Sequence, residues 1–349
     1  MQKTLLSIIL LVILKTLLKK GVIVKRIKII GTGSYLPEKI LTNKDIEKIV
    51  DTTDEWIIKR SGIKERHIAS ESQATSDLGV EAAKKAIENA KIDKNSIDCI
   101  IFGTVTPDRL FPSTAIYVQK ALGLAGVPAF DISAACSGFI YGLAISQTII
   151  NSGFYKRVLV LGGDTLSKVT NWTDRSTCFL FGDGVGAVIV EESTDESGII
   201  SIYLGADGNM ENLLYQPAGG TRIPATEESV KKNLHTIFME GNEVYKHAVN
   251  TMANAAQKAL ELAGINEDDV THFIPHQANI RIMETTAKMV NIPREKVFIN
   301  IDKTANTSAG SIGIAMDQMN RRGMLNKGDI ILIDAFGGGF TWGSAIIRW

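Results

Sequence analysis

AAKKAIENAKI (residues 82–92) recurs in the chain as AAQKALELAGI (residues 255–265), with seven of eleven positions identical. The apolar segment after each copy keeps the same spacing of 173 residues, since DCIIF (98–102) aligns with THFIP (271–275). Similarity at a constant offset over more than one element indicates a duplicated structural unit. We therefore predict two related halves, each built from a central sheet and helices.

Apolar segments alternate with helical patterns along the chain. Continuous apolar runs such as RVLVLGG (157–163) and DIILIDA (329–335) are typical of strands buried on both faces. KVFIN (296–300) is also predicted to be a strand, and helical patterns separate these runs. The alternation predicts the α/β fold class, with one half over residues 25–198 and the other over residues 199–349.

The composition limits the possible classes of function. Lysine plus arginine and aspartate plus glutamate number 38 each, so the net charge of zero gives no reason to expect nucleic acid as a partner. The three cysteines, Cys99, Cys136 and Cys178, are far apart and form no C-x-x-C pair, which argues against a disulfide framework or a zinc site. Free thiols fit a reducing compartment, and we predict a cytoplasmic protein.

Residues 1–24 differ from the rest of the chain. The apolar run LLSIILLVIL (5–14) is flanked by lysines and is shorter than the ~20 apolar residues that a membrane-spanning helix needs. It resembles the start of a signal peptide, but no small-residue cleavage site follows. We interpret the segment as a dispensable extension or a mis-assigned start. A membrane-surface anchor and an export signal remain as alternatives, and no stable membrane insertion is expected.

Three polar residues each follow a predicted strand directly or closely. Cys136 lies in DISAACSGF (131–139), His276 follows THFIP, and Asn306 comes shortly after KVFIN. The carboxyl ends of strands in α/β sheets are where binding and catalytic sites form. The three side chains are chemically complementary, so their common placement predicts a catalytic site.

The thiol of Cys136 has two interpretations. Free cysteines are commonly buried packing residues, which is how we interpret Cys99 and Cys178. Cys136, however, lies among small residues at the start of a predicted helix, where the positive end of the helix dipole favours a reactive thiolate. We therefore predict that Cys136 is a nucleophile.

A run of glycines follows the last predicted core strand. The segment AFGGGFTWG (335–343) lacks the Lys-Ser/Thr pair of a phosphate-binding P-loop. Successive glycines instead allow the backbone to approach a ligand closely. A backbone N–H from this segment is predicted to join the N–H of Cys136 in an oxyanion hole.

With these motifs in place, a family resemblance is clear. The segments DISAACSGF, HQANIRI (276–282), NTSAGSIGIA (306–315) and AFGGGFTWGSAIIRW (335–349) closely resemble the β-ketoacyl-acyl carrier protein synthase III family, the initiating condensing enzymes of type II fatty acid synthesis. The resemblance extends from about residue 26 to the end of the chain. It implies a thiolase-like fold, a duplicated α-β-α-β-α arrangement, and a homodimer in which Phe111 borders the pocket of the other subunit.

The resemblance also implies roles for individual residues. Cys136, His276 and Asn306 correspond to the catalytic triad, and Gly338 corresponds to the second oxyanion donor. The reaction implied joins acetyl-CoA to malonyl-acyl carrier protein and uses no metal, nucleotide cofactor or redox group. Contacts with CoA or substrate are implied for Thr52, Trp56, Arg60, Arg175, Asn242 and Phe111. Contacts with the carrier protein are implied for Gln277, Ala278, Asn279, Ile280, Arg281 and Lys246, and Asn279 is also implied to contact pantetheine.

Three alternatives remain at this point. A relative with the same triad can use branched or longer acyl primers, and pocket size decides between them. A non-catalytic acyl- or carrier-protein-binding module on this fold is a second alternative. A membrane-attached enzyme is the third, and it depends on residues 1–24 alone.

Overall fold

The computed structural model describes residues 25–349. Its strands in chain order are β1 (Ile27–Tyr35), β2 (Lys39–Thr42), β3 (Glu65–Ile68), β4 (Cys99–Gly103), β5 (Ala129–Ile132), β6 (Arg157–Thr165), β7 (Asp183–Glu192), β8 (Gly198–Ala206), β9 (Leu214–Tyr215), β10 (Phe238–Met239), β11 (His272–Pro275), β12 (Ile330–Gly337) and β13 (Thr341–Arg348). Its α-helices are α1 (Asn43–Ile46), α2 (Asp54–Ser61), α3 (Thr75–Ala90), α4 (Thr114–Leu122), α5 (Gly138–Asn151), α6 (Glu227–Lys231), α7 (Gly241–Ala263), α8 (Ile280–Met289), α9 (Ile301–Thr304) and α10 (Gly310–Arg321).

Two mixed sheets form the centre of the fold. The first has the strand order β1-β7-β6-β4-β5, in which β4 is parallel to β5 and β6 while β7 is antiparallel to β6 and β1. The second has the order β11-β12-β13-β8, in which only β11 and β12 are parallel. The strands of the first sheet precede those of the second along the chain, so each sheet is built from one continuous part of it.

Helices cover the outer faces of both sheets and fill the space between them. Helices α3 and α4 pack on the outer face of the first sheet, where Leu78 and Val118 contact Phe102. Helices α5 and α10 lie between the sheets, and α7 and α8 cover the outer face of the second sheet. These five layers are the α-β-α-β-α arrangement that the family resemblance implies, and the predicted fold class is confirmed.

The offset found in the sequence recurs in the structure. Strands β4 and β11 begin 173 residues apart, as do β6 and β12, and the central helices α5 and α10 keep nearly the same spacing. At Gly103 in β4 a Cβ atom would lie only 2.7 Å from the backbone of Gly138, the first residue of α5. Glycine therefore allows the start of α5 to approach the sheet closely, which places the turn before it at the sheet edge.

One expectation about strands was wrong, and one strand was missed. Residues 296–300 form no regular strand, because Val297 makes only an isolated bridge with Phe273. The side chain of Gln277 instead forms hydrogen bonds with the backbone of this segment. Its amide nitrogen donates to the carbonyl of Phe298 at 3.1 Å, and its amide oxygen accepts from the N–H of Asn300 at 3.0 Å. Strand β8 was not predicted, and its mostly half-buried residues explain why no continuous apolar run marks it.

The interpretation of residues 1–24 lies outside the described residues. Over residues 25–349, no helix has both the length and the apolar character needed to cross a membrane.

Candidate active site

Cys136 lies in a short 3-10 turn, residues Ala135–Ser137, that leads into α5. The backbone of Ala135 adopts a φ of 44°, in the left-handed region that non-glycine residues seldom occupy. The carbonyl of Ala134 accepts hydrogen bonds from the hydroxyls of Ser137 at 2.6 Å and Thr341 at 2.8 Å. The turn is thus held from both halves of the chain, and Cys136, a half-buried residue, borders a cavity.

That cavity has a volume of about 680 Å³ and is lined by residues from both halves of the chain. Cys136, His276 and Asn306 all line it, although they are separated by up to 170 residues in sequence. The structure therefore brings together the three side chains that the sequence singles out. Much of the remaining lining is apolar and includes Leu166, Phe181, Leu214, Met239, Met252 and Phe336.

His276 follows strand β11 and is almost fully buried. Its backbone N–H donates to the carbonyl of Asp334 at 2.7 Å, and its Nδ1 lies 2.7 Å from the hydroxyl oxygen of Ser311. That oxygen also accepts the N–H of Gln277 at 3.3 Å, which leaves the hydroxyl proton free to donate to Nδ1. With the Ser311 hydroxyl as the donor to Nδ1, the ring proton is on Nε2. Burial lowers the pKa of His276 to about 3, so the ring is neutral near pH 7.

Asn306 is fixed through its backbone between two residues of a neighbouring segment. Its N–H donates to the carbonyl of Leu180 at 3.0 Å, and its carbonyl accepts the N–H of Gly182 at 3.0 Å. The side-chain oxygen accepts the N–H of Ser308 at 2.8 Å. Among the described residues the side-chain amide nitrogen has no protein partner, so it remains available as a hydrogen-bond donor. The expected strand before Asn306 is absent, since the short helix α9 precedes it.

The electrostatic environment of Cys136 differs from the expectation. Burial is the main cause that raises the pKa of its thiol to about 12; an interaction with Ser308 opposes this rise, and the nearby carboxyl of Asp164 contributes to it. The helix N-terminus therefore does not hold a thiolate at rest, because desolvation of the charged form outweighs it. A reaction at this sulfur requires a group that takes up its proton.

The glycine run lies against the Cys136 turn. At Gly337, the last residue of β12, a Cβ atom would lie 2.5 Å from the backbone nitrogen of Cys136. Gly338 follows it and lines the cavity. The absence of a side chain at Gly337 thus lets the two backbone segments meet beside the thiol.

A cluster of aromatic and cationic side chains lies beside Arg60, which also lines the cavity. The guanidinium carbons of Arg175 and Arg60 lie 4.8 Å and 5.6 Å from the ring centre of Trp56. Both distances are within the range of cation–π interaction. Phe179 packs edge-on against the same Trp56 ring at 5.3 Å.

The other residues implied for CoA contact lie in different places. Asn242 lines the cavity. Thr52 and Phe111 do not line it. The hydroxyl of Thr52 is buried without a partner among the described residues. Phe111 is 83% exposed.

The stretch implied for carrier-protein contact is only partly exposed. Gln277 is fully buried, and its amide nitrogen donates to the backbone carbonyls of Pro275 and Phe298. Its side chain is therefore not presented to a partner protein. Asn279 caps α8 and donates to the carbonyl of Arg60 at 3.0 Å. Ala278 and Ile280 are half-buried. Arg281 is exposed, with its guanidinium carbon 5.3 Å from the ring centre of Tyr245, and Lys246 forms an ion pair with Glu243 at 2.7 Å.

Sequence reasoning missed several residues of the site. Ser308 and Ser311 lie within the NTSAGS motif, but their spacing gives no sign that one faces Cys136 and the other His276. Asp164 follows directly after an apolar strand run. A lone acidic residue at that position was the signal in the sequence that could have marked Asp164 as part of the site. Within residues 25–349 no group of three or more His, Cys, Asp or Glu side chains is arranged to hold a metal ion.

Comparison with known proteins agrees with this geometry. The family described as 3-Oxoacyl-[acyl-carrier-protein (ACP)] synthase III matches residues 130–208, and its C-terminal counterpart matches residues 260–349. A β-ketoacyl-[acyl-carrier-protein] synthase III from Caldanaerobacter subterraneus subsp. tengcongensis is 57% identical over 92% of this chain and 97% of the relative. A protein of the same name from Clostridioides difficile is 50% identical over 92% of this chain and 98% of the relative.

Solved structures lead to the same family. The crystal structure of 3-oxoacyl-[acyl-carrier-protein] synthase III from Aquifex aeolicus is 48% identical and superposes with a TM-score of 0.86, covering 93% of this chain and 100% of the other. The corresponding Pseudomonas aeruginosa structure is 37% identical with a TM-score of 0.86, covering 93% and 98%. The resemblance seen in the sequence is confirmed, and the chain belongs to the β-ketoacyl-[acyl-carrier-protein] synthase III family of acyl-transferring condensing enzymes.

Proposed function

We propose that the cavity catalyses the decarboxylative condensation of acetyl-CoA, or another short acyl-CoA, with malonyl-acyl carrier protein. The products are acetoacetyl-acyl carrier protein, CoA and CO₂, and the reaction initiates fatty acid biosynthesis. The observation that carries the proposal is the convergence of Cys136, His276 and Asn306 on one cavity. No resident metal or cofactor is needed, because the CoA thioesters are substrates and the protein supplies the nucleophile and the hydrogen-bond donors.

In the first half-reaction Cys136 attacks the thioester carbonyl. The N–H groups of Cys136 and Gly338 stabilise the tetrahedral oxyanion, an arrangement supported by the contact between Gly337 and the Cys136 nitrogen. CoA leaves, and the acyl group remains on sulfur. The apolar lining of the cavity excludes water from this intermediate.

In the second half-reaction malonyl-acyl carrier protein loses CO₂, and negative charge develops on its thioester oxygen. The Nε2–H of His276 and the side-chain amide of Asn306 donate hydrogen bonds to that oxygen. A neutral His276 suits this role, because the donor must bind an oxyanion and need not transfer a proton. The resulting carbanion attacks the carbonyl carbon of the acyl group on Cys136. The new carbon–carbon bond forms, and the bond between that carbon and sulfur breaks, which releases the Cys136 thiolate.

The substrates are proposed to reach the cavity past charged side chains. Trp56, Arg60 and Arg175 supply an aromatic face and two cations for the nucleotide part of CoA, with Thr52 nearby in sequence. Asn242 and Asn279 line the cavity and suit the amides of the pantetheine arm. Arg281 and Lys246 present positive charge to an acidic carrier protein, and Gln277, Ala278 and Ile280 shape the loop between them and the cavity.

We also propose that the enzyme acts as a cytoplasmic homodimer. Leu110 and Phe111 are 79% and 83% exposed, and large apolar side chains that are this exposed favour an interaction surface. Phe111 does not line the cavity of its own chain, which fits a position at the cavity of a second copy. Sedimentation equilibrium tests this: the parent is expected to be a dimer and Phe111→Asp mainly a monomer, and a monomeric parent would contradict it.

The decisive test of the function is the intact mass of the purified protein after incubation with acetyl-CoA. We expect one acetyl adduct on the parent, none on Cys136→Ser, and discharge of the adduct by malonyl-acyl carrier protein. Cys178→Ser is the matched control, because this cysteine is also free but is buried away from the cavity. Branched and longer acyl-CoAs in the same assay identify the primer. An adduct that persists in Cys136→Ser would refute Cys136 as the nucleophile.

A further inference from the structure

Arg66 is a fully buried cation for which the proposed reaction has no role so far. It lies in β3. Its guanidinium donates hydrogen bonds to the carbonyl of Leu41 at 3.1 Å, to the side-chain oxygen of Asn43 at 2.8 Å and to the carbonyl of Phe179 at 2.9 Å. All three acceptors are neutral oxygens, although arginine is almost never fully buried unless it is paired. Since burial of a charge is costly, these contacts point to a role beyond packing.

The contact with Phe179 fixes one side of the cluster around Trp56. Phe179 lines the cavity and packs edge-on against the Trp56 ring at 5.3 Å. Arg175 belongs to the same segment, because residues 175–180 form continuous turns, and its guanidinium carbon lies 4.8 Å from the centre of that ring. The hydrogen bond from Arg66 to the Phe179 carbonyl therefore fixes this segment against Trp56.

The contact with Asn43 reaches the helix that carries the rest of the cluster. The side-chain nitrogen of Asn43 donates to Oδ1 of Asp54 at 2.8 Å and to the carbonyl of Ile63 at 2.8 Å. Asp54 is the first residue of α2, and Ile63 comes just after the glycine that ends this helix. Both ends of the helix that carries Trp56 and Arg60 are thus held by one side chain, which is itself bonded to the buried guanidinium.

We propose that Arg66 is a positioning residue for the binding of the nucleotide part of CoA. It does not line the cavity, so it acts through other residues. Its planar fork of donors holds the turn of residues 175–180 directly and α2 through Asn43, which keeps the two in a fixed relation. A cation over an aromatic ring, and a guanidinium that binds phosphate, both depend on such placement.

This proposal rests on the proposed binding of the nucleotide by Trp56, Arg60 and Arg175. Pantetheine gives the means to test it, because it is the thiol arm of CoA without the nucleotide and its phosphates. A residue that only supports the fold would change the affinity for both molecules. A residue that positions the cluster around Trp56 changes the affinity for CoA alone.

The test is isothermal titration calorimetry of the full chain with CoA and, separately, with pantetheine. We expect the parent to bind CoA more tightly than pantetheine. In Arg66→Lys the Kd for CoA is expected to rise about tenfold while the Kd for pantetheine is unchanged. Lysine keeps the positive charge but not the fork, so this change measures the lost hydrogen bonds and not the lost charge.

A second variant breaks only one of the two connections. Asn43→Ala separates Arg66 from α2 and leaves the bond to Phe179 in place, so we expect the Kd for CoA to rise about fivefold, the effect of one lost hydrogen bond. Arg157→Lys is the matched control, because Arg157 is a half-buried arginine of β6 that bonds Glu191 and does not line the cavity. It is expected to keep both affinities.

Three results would overturn the proposal. One is parental affinity for CoA in both Arg66→Lys and Asn43→Ala. Another is an equal loss of affinity for CoA and pantetheine, which would make Arg66 a support of the fold alone. The third is a parent that binds the two molecules equally. Circular dichroism checks folding, and Asn43→Ala decides the question if Arg66→Lys does not fold. Because binding requires no reaction, a missing acetyl adduct on Cys136 refutes the proposed function separately.

Discussion

Nδ1 of His276 and the hydroxyl oxygen of Ser311 lie 2.7 Å apart in the interior of the protein, and a hydroxyl that donates across this contact leaves the ring proton on Nε2. Ser311 lies in the first turn of α10, the central helix that packs between the two sheets. The orientation of the His276 ring is therefore set by the middle layer of the fold. Hydrogen bonds of this kind determine the tautomer of a histidine.

The Ser311→Ala substitution tests this relationship. We expect decarboxylation of malonyl-acyl carrier protein to slow about tenfold, the effect of one lost hydrogen bond of about 1.4 kcal/mol. Acetyl loading of Cys136 is expected to be unchanged, because the proposed role of His276 is in the second half-reaction. Release of CO₂ and release of CoA measure the two steps separately. Ser344→Ala removes a buried serine of β13 that bonds the carbonyl of Ile333, and it serves as the control. Equal loss of both steps in Ser311→Ala would contradict the assignment.

The Gly337→Ala substitution probes the contact between β12 and the turn that contains Cys136. The added Cβ would lie 2.5 Å from the backbone nitrogen of Cys136, a proposed oxyanion donor, so one of the two segments must move. Loss of one such donor typically costs about 100-fold in rate, and we expect a similar loss of acetyl loading. Gly220→Ala is the control, since no atom lies within 4 Å of its added Cβ. Loading at the parent rate in Gly337→Ala would show that the contact is not needed.

The sequence predicts much of this site but not its electrostatics. The positions of Cys136 and His276 could be read from strand ends and small neighbours, because the hydrophobic pattern sets where a buried strand stops. The protonation state of Cys136 could not be predicted from the sequence. Burial of its thiol depends on how Ser308, Asp164 and Gly337 converge from distant parts of the chain. The missing strand at residues 296–300 has a similar cause, because one side chain, that of Gln277, takes over its hydrogen bonds.

The Arg281→Glu substitution separates the two substrates. Arg281 is exposed at the start of α8 and stacks over Tyr245, with no carboxylate paired to it among the described residues. A cation at this position attracts an acidic partner, and its reversal is expected to raise the KM for malonyl-acyl carrier protein about tenfold, an effect that added salt reduces. Acetyl loading from CoA is expected to persist. Arg348→Glu, outside the cavity, is the control. If loading and condensation fall together, Arg281 does not discriminate between the substrates.

Asp334 predicts a pH dependence of stability. Its carboxyl is fully buried in β12, neither oxygen has a hydrogen-bond partner among the described residues, and burial raises its pKa well above the usual value. The folded protein therefore keeps the proton at pH values where the unfolded chain releases it. The contribution of Asp334 to stability is fully present below about pH 4 and is lost as the pH rises toward the folded pKa.

Asp334→Asn does not titrate. The free energy of unfolding of Asp334→Asn relative to the parent is expected to increase with pH above about 4, by at most about 1.4 kcal/mol per unit. Urea unfolding of both proteins between pH 4 and 8 measures this difference. A difference that stays constant over that range would mean that Asp334 has the same pKa in the folded and unfolded chains.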